Sequence, residues 1–137
     1  MKQPPILSAE EARGLIRLTS PYPFDQTVGR LEAAIREAGV NLFCVVDHRA
    51  EGERVGLALR PTIVFVFGNP VAGTPVMVAA PTAAIDLPLK ALVWQADDGQ
   101  VWVACNDAQY LAARHDIPAE LVKNVGAAAR LIQLALA

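Results

Sequence analysis

Cysteine is scarce in this chain of 137 residues, which holds only Cys44 and Cys105. Small secreted domains normally carry more, at framework spacings. A disulfide scaffold is therefore excluded, and the expectation is a cytoplasmic protein with two reduced thiols, each buried in a strongly apolar, strand-like segment. Serine is also sparse. Ser8 and Ser20 are the only two, and neither stands in the Gly-x-Ser-x-Gly elbow of a serine hydrolase. A dominant charge is missing as well: 12 Lys and Arg against 14 Asp and Glu give a formal charge of −2. The cations are scattered singly, as Arg13 and Arg17 are, whereas phosphate-driven nucleic-acid binding needs a concentrated positive face. No nucleic-acid partner is expected. Long apolar runs are absent too. The strongest, such as Ile63 to Phe67, fall far short of the roughly 20 residues a spanning helix needs. Met1 to Glu11 is mostly polar and lacks an apolar h-region, so neither a signal peptide nor a membrane partner is expected.

What is present is core material. Hydrophobic residues make up 53 % and charged residues 19 %, which places the chain outside the low-hydrophobicity, high-charge regime of disorder. The length suits one domain over residues 1–137. Leu15-Ile16-Arg17-Leu18-Thr19 reads as a first strand, ended by Ser20 and Pro21-Tyr22-Pro23. Asp25 then suits a helix N-cap. Phe24, Val28, Leu31 and Ile35 recur at helical spacing, and Gly39 stands where a left-handed C-cap residue belongs. Leu42 to Asp47 and Thr62 to Phe67 are apolar on both faces, as strands covered on both sides are. The strand–helix–strand run that opens the chain favours a parallel pair with a right-handed crossover. His48 to Leu59 is ambiguous, with Val55 and Leu59 spaced for one helical turn.

Thr74-Pro75 is a helix opening, a hydroxyl cap followed by proline at the first helical position, and Pro81 stops that helix. Leu87 to Gln95 and Val101 to Cys105 form a hairpin about Asp98-Gly99, with Trp94 and Trp102 facing each other across it. Asn106 or Asp107 caps a short helix through Arg114, and an amphipathic helix follows over Ala119 to Ala137. The expected fold is α+β. It has one mixed sheet of about five strands with helices packed on it, in the order β-α-β-β-(short α)-β-β-α-α.

Three segments in order carry a resemblance: Phe67-Gly68-Asn69-Pro70-x-x-Gly73-Thr74-Pro75 with Met77 just beyond, Ile85-Asp86-Leu87-Pro88-Leu89-Lys90, and Val101-Trp102-Val103. Together they resemble a bacterial and archaeal family, domain-of-unknown-function family 302. Ser20-x-Tyr22-x-Phe24-x-x-Thr27-Val28, Val46-Asp47-His48 and Tyr110-Leu111-x-x-Arg114-His115 are similar to its other segments. The resemblance covers Gly14 to Ile117 and leaves the last helix outside. It implies an α+β domain with a mixed sheet, often dimeric, and no settled activity. The family usually continues Asp47-His48 through a helix with few glycines, so Gly52 implies a short or frayed one here.

The residues themselves offer one place to look. Asp47-His48 ends one strand and Gly68-Asn69-Pro70 ends another. If the two strands are parallel neighbours, their tips meet at one carboxyl edge of the sheet, where ligands of open α/β sheets bind. Helix N–H groups near Thr74 would add anion affinity, and Lys90 a positive charge. The expected ligand site is therefore Asp47, His48, Asn69, Thr74 and Lys90, taking a small ligand with anionic character. His48 is the candidate general base, oriented by Asp47, if the domain is an enzyme. The alternative is a structural or protein-interaction module in which Asp47 caps the next turn, Asn69 bonds its own loop and Pro70 fixes a bend.

Metal is not expected, because Cys44, His48, Cys105 and His115 miss the spacings of structural zinc. Gly68 to Thr74 lacks the lysine of a phosphate loop, and no dinucleotide fingerprint follows the first strand, which leaves any cofactor unassigned. Leu131, Ile132, Leu134 and Leu136 surround more of the final helix than one stripe requires. That excess favours a homodimer, two-fold pairs being the commonest oligomer.

Overall fold

The computed structural model describes residues 13–137. The elements are β1 (Leu15–Thr19), α1 (Phe24–Glu37), β2 (Asn41–Asp47), α2 (His48–Arg54), β3 (Thr62–Gly68) and α3 (Pro70–Ala79). They continue with a 3-10 turn (Pro81–Ile85), β4 (Leu89–Gln95), β5 (Val101–Asn106), α4 (Ala108–His115), a second 3-10 stretch (Ala119–Val125) and α5 (Ala127–Leu136). The α+β class, the five strands and their order along the chain are as expected.

The sheet is not mixed. Its order is β1-β5-β4-β3-β2, and every neighbouring pair is antiparallel. β1 and β2 run in the same direction, but they stand at opposite edges with three strands between them. The β4–β5 hairpin takes the place beside β1 that a parallel partner would fill. Its turn is the expected one: Gly99 has φ +89, and Asp98 Oδ1 accepts from the Gln100 amide. β2 lies antiparallel to β3, with Asn41 opposite Gly68 and Asp47 opposite Ile63, and a bulge falls between Leu42 and Cys44.

Alternation along the strands sorts the side chains into two layers. One face carries Phe65, Phe67, Ala91, Val93 and Val103, which pack against Leu31 and Ile35 of α1 and Leu131 and Ile132 of α5. This is the main core. A second, smaller core gathers Val76, Ala80, Ala83, Leu111, Ile117 and Val125 beyond one end of the sheet. The other sheet face carries Val64, Val66, Leu92, Trp94 and Trp102, all half-buried and in neither core. There Trp94 and Trp102 stack with centroids 6.1 Å apart, and Arg17 lies over Trp102.

Four local expectations are corrected. Asp25 lies in the first turn of α1, while Pro23 holds the cap position and the Pro23 carbonyl accepts from the Thr27 amide. The Thr27 hydroxyl, fully buried, also reaches the Pro23 carbonyl and pairs with Ser20 Oγ. α3 starts one turn before Thr74, because Asn69 caps it and Pro70 opens it; Pro75 sits inside the helix. The final helix is broken at Gly126 into the second 3-10 stretch and α5. β4 is an inner strand, so Pro88 marks the approach to it rather than a sheet edge.

Two glycines separate backbone conformation from crowding. Gly39 has φ +73 with nothing within 4 Å of an added Cβ, whereas Gly14 has φ +84 and an added Cβ would meet the Tyr110 ring at 2.4 Å. Left-handed backbone costs a non-glycine residue about 1–2 kcal/mol. Gly39→Ala is expected to lose about that much in urea denaturation, and Gly14→Ala clearly more. Equal losses would show that Tyr110 yields freely.

Candidate functional site

The antiparallel register separates the residues expected to share a site. Asp47 and Asn41 are six residues apart on β2, roughly 20 Å at about 3.3 Å per residue, and Asn41 faces Gly68. Asp47-His48 therefore lies at one end of the sheet and Asn69 at the other. Asp47 Oδ1 caps α2 by accepting from the Ala50 amide at 2.9 Å, and His48 is exposed at the start of that helix. The five-residue cluster does not form, and Asp47 is bonded to a backbone amide rather than set to orient His48.

Asn69 and Thr74 do come together with each other. They stand at a pocket of about 230 Å³ where β3 runs into α3. Its walls are mainly apolar: Val40, Phe43, Phe67, Met77, Leu87 and Pro88. The bulge in β2 turns Phe43 outward beside it, leaving that ring 53 % exposed. Gly68 and Gly73 thin the wall. A Cβ on Gly73 would make ordinary contacts with Met77 Cε at 3.8 Å and Leu87 Cδ1 at 3.9 Å. Asn124 bridges the rim by donating to the Ala72 carbonyl.

The anionic character expected of the ligand finds no cation among the lining residues and no free amide at the start of α3; the donors there are the side chains of Asn69, Thr74 and Asn124. Pro70 has no N–H; the Val71 amide donates to Asn69 Oδ1, and the Ala72 and Gly73 amides donate to the Asn69 carbonyl. Lys90 turns back onto its own chain, donating to the carbonyls of Pro88 at 2.9 Å and Asp86 at 3.4 Å. Cys105 is buried, and desolvation, with the nearby Asp107 charge second, raises its pKa to about 11, which removes it as a thiolate nucleophile. Among the described residues no group of three or more His, Cys, Asp or Glu is placed to hold a metal ion.

A second constellation lies where the first 3-10 turn meets the end of α4. His115 Nε2 pairs with Asp86 Oδ2 at 2.5 Å, and His115 Nδ1 with the Thr82 hydroxyl at 2.9 Å. Arg114 donates to both Asp86 carboxylate oxygens at 3.2 and 3.3 Å. The imidazole is nearly buried, its side chain 4 % exposed.

The family model described as domain of unknown function DUF302 matches residues 16–135. The chain belongs to that family. The match takes in the last helix, which the resemblance had left outside. In fold, this DUF302 domain is similar to the crystal structure of an uncharacterized conserved DUF302 protein from Bacillus stearothermophilus. The TM-score is 0.74 at 16 % identity, over 90 % of this chain and 95 % of that one. It is also 38 % identical, over 116 residues, to proteins named fluoride-specific ion channel FluC 1 from Brucella suis and Brucella abortus. Those matches cover 85 % of this chain but 45 % and 43 % of theirs, so the chain spans less than half the length of these curated relatives. Among the described residues no helix is long and apolar enough to cross a membrane.

Sequence reasoning missed the histidine cluster of this DUF302 domain. Asp86 and Arg114-His115 both lie in segments that carried the resemblance, yet they are 28 and 29 residues apart and no spacing rule joins them. Thr82 gave no signal. Removing a partner from a buried polar group costs about 1–3 kcal/mol. Asp86→Ala is therefore expected to lower unfolding free energy by that amount in urea titration, whereas Asp47→Ala, at an exposed cap, should lose about 1 kcal/mol. The reverse ranking would mean that His115 finds another acceptor.

Proposed function

We propose that this DUF302 domain binds a small, largely apolar ligand in the pocket between β3, α3 and the Phe43 bulge. The observation that carries the reading is the opening itself: about 230 Å³ walled by Phe43, Phe67, Met77 and Leu87, with Gly73 in place of a side chain that would narrow it. The volume lies below the roughly 300–1,000 Å³ of pockets for drug-sized ligands, so the ligand is a fragment or one branch of something larger. Polar groups at the rim, Asn69 and Thr74, would orient it. Fluoride conduction is not carried over from the Brucella proteins. A hydrated anion entering these mainly apolar walls loses several kcal/mol of hydration. Only the Asn69, Thr74 and Asn124 side chains are there to offset it, because no cation lines the pocket and the amides at the start of α3 are already engaged.

Met1 and Met77 are the only methionines, which makes methyl-labelled methionine a two-signal reporter. Adding indole is expected to shift the Met77 methyl saturably and leave Met1 unmoved. Gly73→Leu should remove the shift. Gly73→Ala should raise stability by about 0.5–1 kcal/mol, as expected for a glycine inside a helix. A Met77 signal unmoved up to the solubility limit of indole would sink the reading.

A second reading concerns a homodimer, and it moves from the final helix to the sheet. Leu131, Ile132 and Leu136 are buried within the chain, which leaves Leu134 as the exposed leucine of α5. The open sheet face is the better candidate. Five strands about 4.8 Å apart and about 20 Å long give a face of roughly 500 Å². Two such faces reach about 1,000 Å², the lower bound for a specific interface, so the pair would be reversible. Sedimentation velocity at rising concentration should show monomer passing to dimer, and Trp94→Lys should weaken the association at least tenfold. A monomer at all concentrations would remove this reading.

A further inference from the structure

The geometry points to a hydroxyl-activating relay, Thr82–His115–Asp86, with Thr82 Oγ1 as a nucleophile towards small activated acyl groups. It is independent of the apolar pocket, since none of the three residues lines that opening. The relay has a buried middle and an open end. The His115 side chain is 4 % exposed and that of Asp86 17 %, while Thr82 is exposed on the first 3-10 turn. Proton positions follow from the partners. A carboxylate can only accept, so Nε2 of His115 carries the hydrogen given to Asp86. The lone pair of a neutral imidazole then lies on Nδ1, facing the Thr82 hydroxyl at 2.9 Å. Arg114 spans both Asp86 oxygens and holds the carboxylate in line. A nucleophile, a base within hydrogen-bond reach and a third group that orients the base are the elements of covalent catalysis by a hydroxyl.

The step balances with an ester as the acyl donor. Thr82 Oγ1 bonds to the carbonyl carbon while its proton passes to His115 Nδ1. The bond from that carbon to the leaving oxygen then breaks, and the imidazolium returns its proton to the departing alcohol. Water repeats the sequence on the Thr82 ester, releasing the acid and restoring the hydroxyl. Asp86 and Arg114 are positioning residues, because they touch His115 or each other and not the acyl group. Thr82 lies at the surface, so the donor must be small and must bring its own activated leaving group.

The test uses p-nitrophenyl acetate with the whole chain. Peptide mapping by mass spectrometry after a short exposure should place an acetyl group on Thr82. Thr82→Val, an exposed and near-isosteric change, should abolish that adduct, and Thr82→Ser should keep it. General-base assistance typically contributes 10²–10⁴-fold, so His115→Gln should slow acetylation of Thr82 by about 100-fold or more with the near-ultraviolet signature of the Trp94–Trp102 pair retained. Acetyl groups confined to Cys44, the lysines or the N-terminus would overturn the relay. So would a Thr82 adduct that forms equally fast in folded His115→Gln. If that variant does not fold, mapping of the unmodified chain with Thr82→Val still decides.

Discussion

Because β3 runs antiparallel to both β2 and β4, its two ends lie in unlike surroundings. Its entry end sits near the Asp47 tip, after an exposed loop that carries Val55, Leu57 and Leu59. Its exit end runs without a loop into α3, and beside it stand the Phe43 bulge, Pro88 and the second core. A parallel arrangement would have put both strand tips in one crevice. The antiparallel one leaves each tip to make its own cap, Asp47 for α2 and Asn69 for α3, and in each the Oδ1 atom accepts from a backbone amide. Clusters of polar side chains then arise where tertiary packing, rather than strand ends, draws groups together, as it does for Asp86, Arg114 and His115.

α3 shows how that packing is stressed. It contains Gly73 and Pro75, which together cost on the order of 4 kcal/mol against alanine in a helix interior. Such a segment does not hold its shape alone. It is kept by the Asn69 cap, by fully buried Val76 and by the Asn124 bond to the Ala72 carbonyl. The same weak helix forms one wall of the pocket, while its far end leads into the 3-10 turn that carries Thr82. Asp86, His115 and Arg114 then tie that turn to α4. The pocket and the relay thus flank one small core, with Leu87 packed against it on the pocket side and Ala83, next to Thr82, inside it.

The helix at Phe24–Glu37, the hairpin with its paired tryptophans and the buried character of β3 were all legible, because each depends on local periodicity or on one turn. α1 shows the apolar stripe and a left-handed Gly39; the hairpin shows Asp98-Gly99. Strand direction was not legible. Apolar β2 and β3 fit a parallel or an antiparallel partner equally well, and a connection spanning residues 48–61 permits either. α3 was misplaced because Thr74-Pro75 obeys the rule for a helix start, while Asn69-Pro70, five residues earlier, obeys it too and wins by having a free cap oxygen at the end of a strand. Of the expected site, Asn69 and Thr74 meet at the pocket. Lys90 was drawn off by nearby carbonyls, which no pattern of residue types reveals.

The open sheet face raises a different question of balance. A patch of roughly 500 Å² falls within the range of the largest apolar patches on monomers, so its area alone demands no cover. The placement of charge is more telling. Antiparallel sheets with a wet face usually alternate polar residues outward, and this face has two cations with which to do so, Arg17 and Lys90. Neither is turned to solvent over the strands: Arg17 lies across Trp102, and Lys90 bends to the carbonyls of Asp86 and Pro88. What remains in the middle is Val64, Val66, Leu92 and the tryptophan pair. A neutral layer of that kind would suit another sheet of the same kind, packed about 10 Å away, which is the pairing proposed above. A charged partner would meet no complementary group in that middle.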